Sequence, residues 1–164
     1  MIVVGPAVVI PGDNVDTDAM FPGRYLSLTD PKVMRQHLFE DWPEVRGQIR
    51  PGAILFAGEN FGAGSSREHA VLALKSAGVQ ALVGKSFARI FFRNCINQGL
   101  PAVAVRQVPN PFPGEEVTID LRKGVLRSQR GLVAIFPSFP NFLLEILSSG
   151  GLIAWARVRG LGGG

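Results

Sequence analysis

Residues 53 to 69 read Ala53-Ile54-Leu55-Phe56-Ala57-Gly58-Glu59-Asn60-Phe61-Gly62-Ala63-Gly64-Ser65-Ser66-Arg67-Glu68-His69. The stretch changes character twice. Ala53 to Ala57 is apolar and follows Pro51-Gly52, the pattern of a strand leaving a turn. Gly58 to Gly64 is a glycine-rich loop. From Ser66 to about Ala77 the apolar residues Ala70, Ala73, Leu74 and Ala77 recur at i, i+3, i+4 and i+7, which predicts a helix stopped by Gly78. The unit then repeats: strand Ala81 to Gly84, a helix from Phe87 to Gln98 entered through Ser86 and stopped by Gly99, and strand Ala102 to Val105. Parallel strands need crossover helices, so strand-helix-strand-helix-strand in this order predicts a parallel α/β core with its two helices covering the sheet.

Outward from that core, Ile2 to Ile10 is rich in β-branched residues and ends at Pro11-Gly12, a strand closed by a turn. The polar loop Asp13-Asn14-Val15-Asp16-Thr17-Asp18 follows and runs on through Phe21-Pro22-Gly23-Arg24-Tyr25-Leu26. A short helix is expected next, capped by Asp30, opened by Pro31 and ended by Pro43, with Val33, Met34, Leu38 and Phe39 inward. Beyond Pro109 to Gly114 come short strands at Glu116 to Leu121, Gly124 to Arg127 and Leu132 to Phe136, which read as antiparallel, and a closing helix around Phe139 to Leu147. The expected architecture is a single α/β domain over residues 1–159, with a parallel βαβαβ core and a short antiparallel C-terminal portion. The glycine-rich tail at 160–164 is expected to be frayed.

The chain has 164 residues, 46% of them hydrophobic and 18% charged, enough for a real core and unlike disorder or coiled coil. Its 20 glycines and 12 prolines show no G-X-Y period, which excludes collagen. The apolar runs fall short of the roughly 18 residues a bilayer span needs. No basic region precedes the first apolar run, and a single cysteine, Cys95, can form no internal disulfide, so the expected compartment is the cytoplasm. The net charge is +4, with 13 arginines against 4 lysines, a balance that favours bidentate grip on carboxylates or phosphates.

A glycine-rich loop entering a helix presents unpaired N–H groups and the positive end of the helix dipole, a natural anion site, and Arg67 adds a planar guanidinium fork. The glycines at 58, 62 and 64 do not match G-x-G-x-x-G, and the Walker lysine is absent, so nucleotide fingerprints are unsupported. A structural reading competes: Ser65-Ser66-Arg67-Glu68 is also S-x-x-E, a capping box in which Ser65 caps the helix and Glu68 returns the bond.

Asn60 to Ala70 resembles the signature of the swivelling β/β/α domain of the aconitase superfamily. Two further segments agree: Lys85-Ser86-Phe87-Ala88-Arg89-Ile90-Phe91-Phe92-Arg93-Asn94 is similar to that family's next helix, and Asn14 to Asp18 followed by Pro22 is similar to its N-terminal segment. The chain length is similar to that of the separate small subunits of 3-isopropylmalate dehydratases in leucine biosynthesis. The resemblance implies a two-chain hydro-lyase that moves a hydroxyl between adjacent carbons of a 2-hydroxy dicarboxylate, with a large subunit carrying a [4Fe-4S] cluster. It implies Ser65 as the base, Gly64, Ser66 and Arg67 as carboxylate holders, and Thr17 and Asp18 as support from the first loop. The loop Arg24, Tyr25, Leu26, Ser27 is where the family reads the substrate's remaining substituent. Small subunits of homoaconitase and 2,3-dimethylmalate dehydratase share the motif, but homoaconitase carries an arginine where Ser27 stands.

Ser65 sits where a helix N-terminus and a guanidinium could stabilise an alkoxide. One cysteine and two histidines, in contrast, cannot ligate an iron-sulfur cluster, so the metal must come from a partner chain. Asp13, Asp16 and Asp18 lack the EF-hand order. Cys95 reads as a core residue, and His37 and His69 have no third zinc ligand at a recognisable spacing. Arg89 and Arg93 could line a groove or anchor an interface. The run Ile153 to Arg159 is too short for a membrane-surface helix and is expected to pack its tryptophan on the domain. A stand-alone anion- or RNA-binding module is the rival class, disfavoured by dispersed basic residues and few stacking aromatics.

Overall fold

The computed structural model describes residues 1–65 and 67–160. Strands β1 (Ile2–Val9), β2 (Ile54–Phe56), β3 (Ala81–Gly84), β4 (Ala102–Ala104), β5 (Glu116–Asp120), β6 (Val125–Ser128) and β7 (Val133–Ile135) form one sheet in the order β4-β3-β2-β1-β5-β6-β7. β1 joins its two halves. Ala7 to Val9 pair in parallel with β2, while Ile2 to Pro6 pair antiparallel with β5. β2, β3 and β4 continue the parallel half, and β5, β6 and β7 the antiparallel one.

Helices α1 (Thr17–Met20), α2 (Pro31–Met34) and α3 (Pro43–Arg46), with 3-10 turns at Gly23–Tyr25 and Arg35–His37, fill the connection from β1 to β2. α4 (Glu68–Ser76) and α5 (Arg89–Asn97) are the two crossovers expected from the sequence, and α6 (Asn141–Ser148) and α7 (Leu152–Val158) close the chain. Strand alternation sorts the core into two layers. Leu55, Leu82 and Val8 face α4 and the first connection, packing on Ala70, Val71, Leu74, Met20, Phe21 and Phe39. Ile54, Phe56, Val83 and Val103 face the other way, meeting Val117, Ile119 and Leu126 of the antiparallel half and Leu144 and Leu147 of α6. Each such buried valine, leucine, isoleucine, phenylalanine or methionine contributes about 1.5–3 kcal/mol of transfer free energy. Ala104 on one edge and Phe136 beyond the other line the same cleft, so the sheet curls towards closure.

Three expectations are revised. α4 begins at Glu68, its N-cap position is Arg67 rather than Ser65, and the Arg67 side chain does not cap it, so the Ser65 capping box does not form. Asp30 does cap α2 by accepting from the Lys32 amide, but that helix is a single turn. Pro43 then opens α3 instead of merely ending α2, as its missing N–H suits the first helical position. As expected, the run after Gly151 packs its tryptophan on the domain: it forms a helix whose Trp155 lies on the second core layer and donates to Glu145 Oε2 at 3.2 Å. Of the tail expected to fray, residues 161–164 lie outside the described residues, as does Ser66.

Candidate active site

The glycine loop lies beyond the carboxyl ends of parallel strands, the crevice where open α/β sheets bind ligands. Backbone pairing continues past the strands to build it. The Asn14 amide donates to Glu59 O at 2.8 Å, the Gly62 amide to Val15 O at 2.8 Å and the Thr17 amide to Ala63 O at 3.0 Å, so residues 14–17 run alongside 59–63. On the other side the Phe61 amide donates to Ser86 O at 3.1 Å and the Ala88 amide to Phe61 O at 3.0 Å. The loop is therefore held from both flanks.

Side chains lock the same frame. Asp13 Oδ1 accepts from the Glu59 amide at 2.8 Å, and Ser86 Oγ from the Asn60 amide at 2.8 Å. Asn14 and Asn60 both have left-handed backbones, with φ of 56° and 53°, and Asn60 Nδ2 donates to Asn14 Oδ1 at 3.0 Å. Gly62 has a φ of 88°, and a Cβ there would lie 2.1 Å from the Phe91 ring. Only glycine fits both the angle and the space.

Of the sequence-predicted site residues, the structure brings Gly64, Ser65, Arg67, Thr17 and Asp18 together. Thr17 is buried and donates through Oγ1 to Ser65 O at 2.9 Å. Ser65 itself is exposed beside the amino end of α4, whose first-turn N–H groups have no intrahelical acceptor. Arg67 is half-buried and approaches Asp18 Oδ1 at 3.3 Å; the same oxygen accepts from the Gly23 amide at 2.7 Å. An exposed pair of this kind contributes about 0–1 kcal/mol and yields readily to a competing carboxylate. His69 lies 6.2 Å from Phe21, ring centre to ring centre, in a stacked arrangement.

The loop at 24–27 divides in two. Arg24 is bidentate on Asp41 at 2.9 and 2.8 Å and also reaches Glu40 at 2.7 Å. The Tyr25 hydroxyl donates to Glu40, and the Tyr25 ring stacks on His37 at 3.8 Å. His37 Nδ1 meets the other Glu40 oxygen at 2.9 Å. The Tyr25 hydroxyl first, then His37, hold the Glu40 carboxyl down at about 2, and Arg24 lowers Asp41 likewise. Leu26 and Ser27 stay exposed. Glu40 and Asp41 are the members of this cluster to which sequence reasoning gave no part, and their juxtaposition was the available signal.

The described residues do not suit an iron-sulfur cluster. Cys95 is fully buried in α5, where burial pushes its thiol far above the ordinary range, and no group of three histidine, cysteine, aspartate or glutamate side chains converges among them. Among the described residues no helix is long and apolar enough to cross a membrane.

Together, the curled mixed sheet and a glycine loop at its strand ends define a swivel domain of the aconitase class, and residues 48–107 match the aconitase C-terminal domain family. Relatives resolve the class further. The chain is 46% identical over 148 residues to a 3-isopropylmalate dehydratase small subunit of Nautilia profundicola, covering 89% of each chain. It is 47% identical over 152 residues to that of Aquifex aeolicus, covering 90% of each. A crystal structure of 3-isopropylmalate dehydratase from Methanocaldococcus jannaschii superposes with a TM-score of 0.88 at 39% identity, covering 98% of this chain and 96% of that one. The chain belongs to the family of 3-isopropylmalate dehydratase small subunits.

Proposed function

We propose that this chain is the small subunit of a cytoplasmic hydro-lyase that isomerises 2-isopropylmalate to 3-isopropylmalate by dehydration and rehydration, in leucine biosynthesis. The observation that carries the reading is the exposed Ser65 just before the amino end of α4, its carbonyl held by the buried Thr17. Elimination removes a proton from the carbon next to a carboxylate, which Ser65 Oγ takes, and a hydroxide from the adjacent carbon, where the large subunit's cluster would supply the Lewis acid; rehydration adds the hydroxyl at the carbon that lost the proton. The α4 amides and Arg67 lower the cost of a serine alkoxide, for which preorganised dipoles suit better than water. Arg67, with Gly64 and Ser66, holds the carboxylate, and Asp18 aims the guanidinium until substrate displaces it. Rehydration returns the proton from Ser65 to the neighbouring carbon. The large subunit supplies the [4Fe-4S] cluster, since this chain's donor set cannot.

The test is reconstitution. The chain alone should be colourless and inactive, and adding the large subunit should restore interconversion of the two isopropylmalates. Loss of a catalytic base costs about 10²- to 10⁴-fold in rate, so Ser65→Ala and Ser65→Gly should both lose most turnover while assembling normally. Near-normal turnover by Ser65→Gly overturns the role of Ser65.

A further inference from the structure

At the carboxyl end of α4 lies a cleft of about 560 Å³ lined by Arg35, Arg46 and Arg50 over an apolar floor of Leu38, Ile49 and Ala77. Among the described residues no carboxylate lines it, and none of these three arginines takes part in an ion pair. Arg46 Nη2 donates to Gln36 O at 2.5 Å, which fixes one guanidinium at the rim and leaves its other N–H groups available. Three like charges in one cleft repel one another unless an anion sits between them.

The helix end does not by itself explain the cluster. Cations gather at helix carboxyl ends where carbonyls lack partners, but here Ala73 O accepts from Ala77, Leu74 O from Val79 and Lys75 O from Gly78. Nine helical residues at 1.5 Å each put the cleft about 14 Å from Arg67, so it is separate from the glycine loop.

We propose that this cleft is a second ligand site for a small dianion: the guanidinium forks take its charged oxygens, and the apolar floor takes the carbon skeleton of an organic one. A dicarboxylate and a phosphate share that chemistry. The experiment is a titration of the ¹⁵N-labelled full chain with succinate, with inorganic phosphate and with acetate at constant ionic strength. At least one dianion should give saturable amide shifts at Arg35, Arg46, Arg50 and Ser76 to Gly78, well below the acetate concentration needed. The tighter dianion identifies the source.

Losing a charge-assisted bond weakens binding by about tenfold or more, so Arg46→Gln and Arg50→Gln should each do so, while Arg67→Gln leaves the affinity unchanged. Preserved dispersion of the amide spectrum verifies that each variant is folded. Arg50→Lys, which keeps the charge but loses the fork, should fall between. Shifts that do not saturate, that spread over all arginines, or that survive in the Arg46→Gln/Arg50→Gln double variant overturn the proposal.

Discussion

Thr17 Oγ1 donates a 2.9 Å hydrogen bond to the carbonyl oxygen of Ser65, 48 residues further along the chain. Thr17 opens α1 and is buried, so its rotamer is fixed by packing, and the bond transmits that rigidity to the backbone of an exposed serine. A serine that must act as a base gains from such orientation, because a small misplacement of a reacting atom costs more rate than stability.

Thr17→Val keeps the shape and removes the donor. The Ser65 carbonyl is then without its partner, a loss of about 0.5–1.5 kcal/mol in stability. The expected result in the assembled enzyme is a small fall in melting temperature with a disproportionate fall in kcat, both restored by Thr17→Ser. Equal, minor losses in both would mean that the bond only braces the loop.

Gly62 and Gly64 have nearly the same backbone, with φ of 88° and 90°, but different surroundings. A Cβ at Gly62 would strike the Phe91 ring at 2.1 Å, whereas at Gly64 the nearest atom is Asp16 Cβ at 3.4 Å. Gly64→Ala should therefore cost only the conformational strain, about 1–2 kcal/mol, and Gly62→Ala that strain plus about 1–3 kcal/mol of overpacking. Thermal melts of the two variants measure the difference.

The parallel core was legible because Gly78 and Gly99 stop both crossover helices and apolar runs separate them. What was not legible followed from contacts distant in sequence. Ser65 to Glu68 satisfies a capping pattern, yet Thr17 holds the Ser65 carbonyl and Gly64 turns left-handed, so the chain enters α4 too late for Ser65 to cap it. α1 and the Gly23–Tyr25 turn carry no periodic apolar signal; Asp16 and Asp18 make them by accepting from the Ala19 and Gly23 amides. Glu40 gathers Arg24 and Tyr25 from 16 and 15 residues away, spacings that match no helix or strand, and adds His37 from 3 residues away.

That Glu40 cluster should make the protein acid-sensitive in a definite window. Tyr25 and then His37 lower the Glu40 carboxyl from 4.5 to about 2, so the folded state favours the carboxylate. A depressed folded value contributes stability above the ordinary glutamate range, and it is lost as pH falls through the folded value. Melting temperature should decline from about pH 4.5 towards pH 2. Glu40→Gln should melt lower than wild type at neutral pH, with the two curves converging at the acid end. Parallel curves would show that Glu40 does not contribute to the slope.

Ser27 offers the sharpest test of substrate choice, because Arg24 is already engaged. Its guanidinium is bidentate on Asp41 and also bonded to Glu40, so it is committed within the loop, while Ser27 is exposed and free to be replaced. Facing an isopropyl group, an arginine at 27 would be a desolvated, unpaired charge; facing the additional carboxylate of homoaconitate it could form a bidentate bond. A charge-assisted hydrogen bond contributes about 1.5–3 kcal/mol, so Ser27→Arg should move the kcat/KM ratio at least about tenfold towards homoaconitate. Wild type and Ser27→Arg, each assembled with the same large subunit, are assayed on both substrates. An unchanged ratio would place Ser27 outside the pocket and move the search for the specificity determinant to Leu26.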